Sequence, residues 1–326
     1  MPEFLYRDTT QASDQKVGAP ILRITALTDP LDGATLAGPG GELLDLFLTQ
    51  FGADVAFVAK GPTTGRSRAS RLTKATDKRI GELRAILRDG GVEKFGLRIY
   101  GPDDTGFGRP LAPYASIAHM IAETDAGVTP YAQIDFALPP EGEASQRFLH
   151  DSDEVLRRLP LRAGVQGLGF AGTPVEGSLM FLYPPAFRRY RAAVIADWRI
   201  PSALVFHNPN ATQVHGDYTA GLPDIGWRTY VGPEFSERLQ GRPRHPEVTV
   251  EQAGAATVVT AGAAPIWGDL NTGEDIGPFR AAARFLEPAL ASRGRRIREA
   301  PCYVNGNPER EALAADYLDR FKGSGA

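Results

Sequence analysis

The chain has 326 residues, 42% of them hydrophobic, so it can bury a sizeable core in one large domain or two smaller ones. Its 36 Lys and Arg residues against 39 Asp and Glu residues give a formal net charge of -3. This balance disfavours direct binding of nucleic acid, because domains with that function are usually clearly basic.

Cysteine usage and the first residues bear on the compartment. Cys302 is the single cysteine, which excludes an intramolecular disulfide and a thiolate-rich metal site and fits a reducing environment. The residues after Met1 lack the apolar core of a secretory signal, and no apolar run approaches the ~20 residues that span a bilayer. The sequence therefore predicts a cytoplasmic protein that does not enter a membrane.

The first third of the chain predicts a strand-helix-strand opening. Residues 1–19 are expected to form a mobile tail. Near-alternating apolar residues then indicate a strand, helical spacing indicates a helix that stops at Gly52, and a second apolar run follows. These elements are Pro20–Thr28, Gly41–Leu48 and Ala53–Lys60. The direction in which the two strands pair is left open.

A cationic loop and a second helix come next. Residues 60–74 are rich in Gly, Thr, Ser and Arg, which is typical of an exposed loop. Apolar residues from Ile80 to Leu87 have helical spacing, and Gly90 follows them. Residues 94–100 read as a strand, which ends in turn residues at 101–106.

The middle of the chain repeats the strand-helix-strand order. Alternation over Gly127–Leu138 predicts a half-buried strand that ends at Pro139. A helix over Ala144–Arg158 and a Gly-rich strand over Ala163–Ala171 follow. The recurrence suggests two similar halves, although the sequence itself shows no repeat.

The last part mixes all element types. The patterns predict the following elements in chain order: a helix at Ala186–Trp198, a short strand at Leu204–Phe206, a long polar loop at His207–Asp224, a strand at Trp227–Val231, a helix at Glu234–Leu239, a hairpin of Glu247–Gln252 and Ala256–Ala261, a helix at Asp275–Leu290, a basic connection at Arg293–Arg298 and a helix at Pro308–Phe321. This order predicts an α+β fold, with a mixed or mainly antiparallel sheet flanked by helices. Residues 20–326 are expected to form a single domain, with a weak internal division near residues 174–185.

No constellation of residues points firmly to catalysis or to a cofactor. The five histidines lack metal-ligand spacing, although His215 and Asp217 share the long polar loop. The Gly268-Asp269-Leu270-Asn271 turn could hold a cation or orient a water. The favoured interpretation is structural: the Asp and Asn side chains bond their own backbone and the glycines adopt positive φ. A metal-assisted hydrolase that uses His215, Asp217, Asp269 and Asn271 is the alternative.

The residues from Gly226 to Pro288 carry one recognisable order of features. Gly226-Trp227 precedes an apolar run, a later strand leads into Gly262-x-x-Pro265, and the Gly268-Asp269-x-Asn271 turn precedes an amphipathic helix. This order resembles the type VI secretion immunity-factor family (TsiV-type). The motif residues themselves, Gly226, Trp227, Gly262, Pro265, Gly268, Asp269 and Asn271, are interpreted as structural.

The resemblance implies a non-catalytic protein that binds and covers a cognate toxin in the cytoplasm, with a nuclease as the first expectation. A nuclease holds its polyanionic substrate on a basic face, so an inhibitor gains affinity and steering from carboxylates. The expected contact residues are Asp103, Asp104, Glu141, Glu143, Asp151, Asp153, Glu154 and Asp217. A structural component of a secretion locus is a further alternative.

Overall fold

The computed structural model describes residues 18–61, 72–89, 96–102, 112–124, 127–172, 185–194, 221–300 and 302–322. Within these ranges ten strands form one sheet: β1 (Gly18–Thr28), β2 (Phe57–Gly61), β3 (Thr73–Lys74), β4 (Gly96–Tyr100), β5 (Tyr114–Thr124), β6 (Gly127–Leu138), β7 (Leu161–Gly172), β8 (Arg228–Val231), β9 (Val248–Ala253) and β10 (Ala256–Ala261). Their order across the sheet is β3-β2-β4-β5-β6-β1-β7-β8-β10-β9. Each neighbouring pair is antiparallel.

Helices flank this sheet, so the fold is α+β, as the sequence predicts. The described helices are α1 (Gly33–Phe51), α2 (Asp77–Arg88), α3 (Glu143–Leu156), α4 (Pro233–Ser236), α5 (Gly277–Leu286), α6 (Arg293–Glu299) and α7 (Pro308–Leu318). Residues 185–189 are also helical, and 3-10 turns extend α1, α4 and α5 at Gly52–Asp54, Glu237–Leu239 and Glu287–Ala289. No helix in the described ranges is both long and apolar enough to cross a bilayer.

The core beside the first three helices is built from aromatic rings. Phe47 of α1, Phe148 of α3 and Phe136 of β6 are fully buried, with ring centroids 4.9–6.0 Å apart. Such contacts add to the free energy gained by removing each ring from water. They fix α1 and α3 on one face of the sheet, where alternate residues of β1 and β6 point.

The structure confirms several predicted elements and extends others. Strand β6 and the β9–β10 hairpin lie where the alternation predicts them. Helix α1 begins eight residues before the predicted helix and contains Pro39. Two features account for the earlier start: Asp32 caps the helix through the Thr35 N–H, and Leu36 is fully buried in the core. The expected basic connection is itself helix α6.

The structure departs from the predicted elements in two places. Strand β5 has no predicted counterpart, because its small Ala and Ser residues give a weak apolar alternation. The helix predicted through Trp198 ends at residue 189. Beyond it, Tyr190 bridges to Asp269 and Val194 bridges to Gly169, so the chain pairs with other backbone segments and leaves the helix.

The two strand-helix-strand units do not span the same distance. Strands β6 and β7, joined through α3, both pair with β1, which lies between them. Strands β1 and β2, joined through α1, are separated by β6, β5 and β4. The units therefore share an order of elements but differ in connection.

The terminal and domain predictions have different outcomes. Residues 18 and 19 belong to β1, where they pair with Gly172 and Ala171, so the predicted tail is too long by two residues. Residues 1–17 lie outside the described residues, as do residues 174–184 of the internal division predicted near 174–185. The single domain over 20–326 stays a prediction.

Candidate functional site

The Gly-Trp part of the motif is a packed joint between strands. Trp227 is 7% exposed, and its Nε1–H donates to the carbonyl of Gly262 over 3.3 Å. A Cβ at Gly226 would lie 2.6 Å from the carbonyl oxygen of Gln166 on β7, so only glycine fits there. These contacts place the start of β8 against the end of β10, in agreement with the structural interpretation.

The motif turn is organised around the carboxylate of Asp269. Arg189 donates to it from Nε over 2.9 Å and from Nη2 over 2.8 Å, and the backbone N–H of Asn271 donates to Oδ1 over 2.9 Å. The Asp269 N–H in turn donates to Glu274 Oε2 over 2.9 Å. The hydrogen bonds from Arg189 lower the pKa of Asp269, so the carboxylate stays ionised.

In this turn the prediction for the glycines is confirmed, whereas the prediction for the Asn271 side chain is not. Gly268 and Gly273 adopt φ of 65° and 71°, as predicted. Asn271 contributes its backbone N–H to the turn while its side chain is exposed, so the expected side-chain bond is replaced by a backbone one. The helix that follows starts with Asp275 Oδ1 accepting from the Gly277 N–H over 2.8 Å.

The hydrolase alternative gains no support from this geometry. Arg189 donates to both oxygens of Asp269 and already supplies its counter-charge. His215 and Asp217 lie outside the described residues. Within the described part of the chain, no group of His, Cys, Asp and Glu is arranged to hold a metal ion.

The predicted contact carboxylates fall into three groups. Asp103, Asp104 and Asp217 lie outside the described residues. Glu141, Glu143 and Glu154 are exposed and Asp151 is half-buried, all at α3 or just before it. Glu143 accepts from Arg147 over 2.8 Å, one helical turn later. The exposed acids of α3 thus remain accessible to a partner.

Asp153 departs from the prediction because it is buried, with 7% of the residue exposed. It accepts hydrogen bonds from the Tyr230 hydroxyl and from Arg157 Nε, the latter over 2.8 Å, and Arg228 approaches within 3.2 Å. Burial, and then the charge of Asp153, raises the pKa of Tyr230 well above its usual value, so the hydroxyl remains a donor. Asp153 therefore joins α3 to β8, and its carboxylate does not face a partner.

A cleft that the sequence analysis does not predict lies beside the motif turn. We call it the basic cleft; its volume is about 590 Å³. Among the residues described, five cationic side chains line it: Arg188, Arg191, Arg280, Arg320 and Lys322. The described lining also includes two carboxylates, Asp316 and Asp319, and two apolar side chains, Leu270 and Ile276. The motif turn therefore forms one wall of a charged cavity.

A buried ionic network underlies the basic cleft. Arg320 Nη2 donates to Asp224 Oδ1 over 2.6 Å, and both side chains are 1% exposed. The Tyr317 hydroxyl donates to the other oxygen of Asp224. The Asp224 carboxylate therefore neutralises Arg320. Their contact fixes the end of α7 against the segment that leads to β8.

The remaining cations of the basic cleft differ in their partners. Arg188 lies 3.5 Å from Asp316, and Lys322 lies 2.8 Å from Asp319, which also pairs with Arg293. Arg191 and Arg280 have no carboxylate within ion-pair distance among the residues described. Arg280 Nε is also shielded from solvent and lacks a hydrogen-bond partner there.

Leu270 projects from the motif turn at the edge of this cleft. It is 50% exposed, the one large hydrophobic side chain in the described ranges that is exposed. A single exposed Leu is common on protein surfaces, so the charges around it carry the interest of this site. In sequence, its parts are separate short runs around Arg188, Leu270 and Arg320, and only their assembly reveals the site.

A polar strip crosses the sheet on the face opposite α1 and α3. Arg23 of β1 donates to Asp135 of β6 over 3.3 Å, and Thr25, Ser116 and Gln133 are buried nearby on neighbouring strands. The alternation of Gln133 and Asp135 with apolar residues predicts a polar face for β6. Its burial does not follow from the sequence.

Comparisons with known proteins bear on the fold alone. No protein-family model matches the chain, and no curated protein matches it in sequence. Among solved structures, the chain is similar to the Pseudomonas aeruginosa T6SS protein PA0821, with a TM-score of 0.67 and 16% sequence identity. The match covers 94% of this chain and 85% of the other. The two chains therefore share this fold over nearly their whole length.

Proposed function

We propose that this protein is an immunity protein that binds a cognate toxin delivered by a type VI secretion system and blocks it without catalysis. The observation that carries the proposal is the fold, which matches a T6SS protein over 94% of the chain. The resemblance of the residues from Gly226 to Pro288 to the immunity-factor family supports the immunity role, and Gly226 and Trp227 of that motif make contacts that join strands.

The finer proposal is a toxin that acts in the cytoplasm, with a nuclease as the first candidate. A nuclease presents a basic face, and carboxylates opposite that face speed association and add affinity. The exposed acids at α3 supply such groups, namely Glu141, Glu143, Asp151 and Glu154. Asp153 is left out of this contact set because it is buried and bonded.

Inhibition by covering requires accessible side chains on a stable scaffold. The Asp269 carboxylate stabilises the turn, and Asp153 stabilises the α3–β8 contact. Both groups are thereby committed to the fold. The acids that face solvent are accessible to a partner, as the proposed inhibition requires.

The direct test begins by asking whether a neighbouring gene encodes a toxin; if one does, that adjacent-gene toxin is co-expressed with this protein. We expect the intact protein to restore growth and to bind the purified toxin. A structural component of a secretion locus would instead bind assembly proteins and leave toxicity unchanged. That second result would overturn the proposed function.

The acidic contact is tested by charge reversal with a matched control. Replacing Glu141 and Glu154 together by Lys is expected to weaken toxin binding about tenfold or more, mainly by slowing association. The control replaces Glu237 and Glu287 by Lys; both are exposed and make the same change in net charge elsewhere. Equal effects of the two double variants would assign the change to net charge and remove α3 from the interface.

A further inference from the structure

The basic cleft contains positive charge that the described residues do not neutralise. Arg320 is paired with Asp224, Arg188 with Asp316 and Lys322 with Asp319. Arg191 and Arg280 have no such carboxylate in the described ranges, and both are half-buried. A partly desolvated cation without a counter-charge is unfavourable, so the cleft is suited to an anionic group from outside.

The surroundings of Arg191 point the same way. Burial lowers the pKa of Arg191; Asp316 opposes this shift, while Arg188, Arg320 and Arg280 add to it. Three neighbouring cations therefore repel Arg191, and Asp316 is the one carboxylate that opposes them. A bound anion would relieve this repulsion through charge-assisted hydrogen bonds.

The lining favours an acidic peptide over a nucleic-acid backbone. Asp316 and Asp319 lie among the cations and would repel a continuous run of phosphates. Leu270, which is 50% exposed, offers apolar contact area beside the charges, while Ile276 below it is buried. A volume of about 590 Å³ lies in the range of sites that hold a ligand the size of a few residues.

We propose that the basic cleft receives an acidic segment of the toxin, whose carboxylates pair with Arg191 and Arg280 and whose apolar side chain packs on Leu270. This inference rests on the proposed function. It adds a contact of opposite charge to the one at α3, and it gives the motif turn a role in binding through Leu270. An interface with both signs of charge fixes the orientation of the partner and selects against other toxins.

The test measures the affinity of the purified full-length protein for the adjacent-gene toxin by calorimetry. Arg191→Glu and Arg280→Glu are each expected to weaken binding about tenfold or more, and Leu270→Ser to weaken it less. Arg284→Glu is the matched control: it lies one turn after Arg280 on α5, is exposed and does not line the cleft. This control is expected to change the affinity less than about twofold.

Further measurements distinguish a loss of folding from a loss of binding, and an acidic peptide from other anionic ligands. Each variant is first checked by circular dichroism and thermal unfolding, and Arg191→Gln and Arg280→Gln replace any Glu variant that fails to fold. A glutamate-rich peptide that contains one leucine should compete with the toxin for the intact protein. Stronger competition by inorganic phosphate or by a single-stranded oligonucleotide would overturn the acidic-segment proposal.

The possible failures are distinguishable. If the intact protein does not bind the toxin, the proposed function fails. If it binds, but the Arg191 and Arg280 variants bind as tightly as the Arg284 control, the cleft has no part in binding and the proposed function stands. Loss of binding in the two cleft variants alone supports both.

Discussion

Arg189 and Asp269 form a two-pronged pair: Nε and Nη2 of the guanidinium reach the two carboxylate oxygens over 2.9 and 2.8 Å. This pair ties the helical segment at 185–189 to the motif turn. The same carboxylate accepts from the Asn271 N–H, so Asp269 also stabilises the backbone of the turn. The turn is thus held in place beside the basic cleft.

The pair predicts a pH-dependent effect of Asp269→Asn. The pKa of Asp269 is lowered in the folded protein, so its contribution to stability is present above the unfolded value of about 4. That contribution is lost as the pH falls through the lower, folded pKa. We expect the variant to unfold at a lower temperature than the intact protein at pH 7, and the difference to shrink toward pH 2.

Thermal unfolding at a series of pH values checks this expectation. Asp45→Asn is the control, because Asp45 pairs with Arg84 on the surface and both side chains are more than half exposed. Its effect should be small at every pH. A difference for Asp269→Asn that is the same at pH 2 and pH 7 would show that the ionised pair does not stabilise the turn.

The buried pair of Arg320 and Asp224 predicts a large loss of stability on removing one partner. Asp224→Asn leaves the Arg320 guanidinium almost fully buried without its counter-charge, which costs about 3–5 kcal/mol of unfolding free energy. Urea unfolding measures this loss. Replacing Asp224 by Asn and Arg320 by Met together should cost less than the single change. A double variant less stable than Asp224→Asn would contradict the burial argument.

Asp153 and Glu154 predict opposite outcomes although they are neighbours in sequence. Asp153→Asn weakens the contacts with Tyr230 and Arg157 and should lower the unfolding free energy by about 2 kcal/mol. Toxin affinity should be unchanged while the variant remains folded. Glu154 is exposed, so Glu154→Gln should leave the unfolding free energy unchanged but weaken toxin binding. The reverse pattern would place the contact on the buried side of α3.

Gly226→Ala and Gly81→Ala are expected to change the free energy of unfolding in opposite directions. A Cβ at Gly226 meets the backbone oxygen of Gln166 at 2.6 Å, so Gly226→Ala must displace a strand and destabilise the fold. Gly81, inside α2, has open space around a Cβ, and Gly81→Ala should stabilise by about 0.5–1 kcal/mol. Denaturant midpoints compare the two. Destabilisation by both would refute the packing account.

The sequence pattern predicts those helices and strands whose bounds are set by neighbouring residues in the chain. Examples are β6, whose position follows from its regular alternation, and the β9–β10 hairpin, whose position follows from its tight turn. The start of α1 and the end of the helix at residue 189 depend on distant partners. Leu36 packs in the core and Val194 bridges to Gly169, and neither contact is visible in the local pattern.

The candidate sites follow the same division. The structural nature of the Gly268–Gly273 turn is predictable, because glycines and Asp define turns through their own backbone. The burial of Asp153 is not, because it depends on Tyr230, 77 residues later in the chain. The basic cleft is formed by segments that are distant in sequence. A net charge of -3 for the whole chain therefore gives no sign of it.

The affinity of the purified protein for the toxin encoded by the adjacent gene tests the central claim most directly. An immunity protein is expected to form a stable one-to-one complex with a dissociation constant in the nanomolar range or below and to abolish toxin activity at equimolar concentration. No detectable complex with that toxin, together with undiminished toxicity on co-expression, would contradict the account.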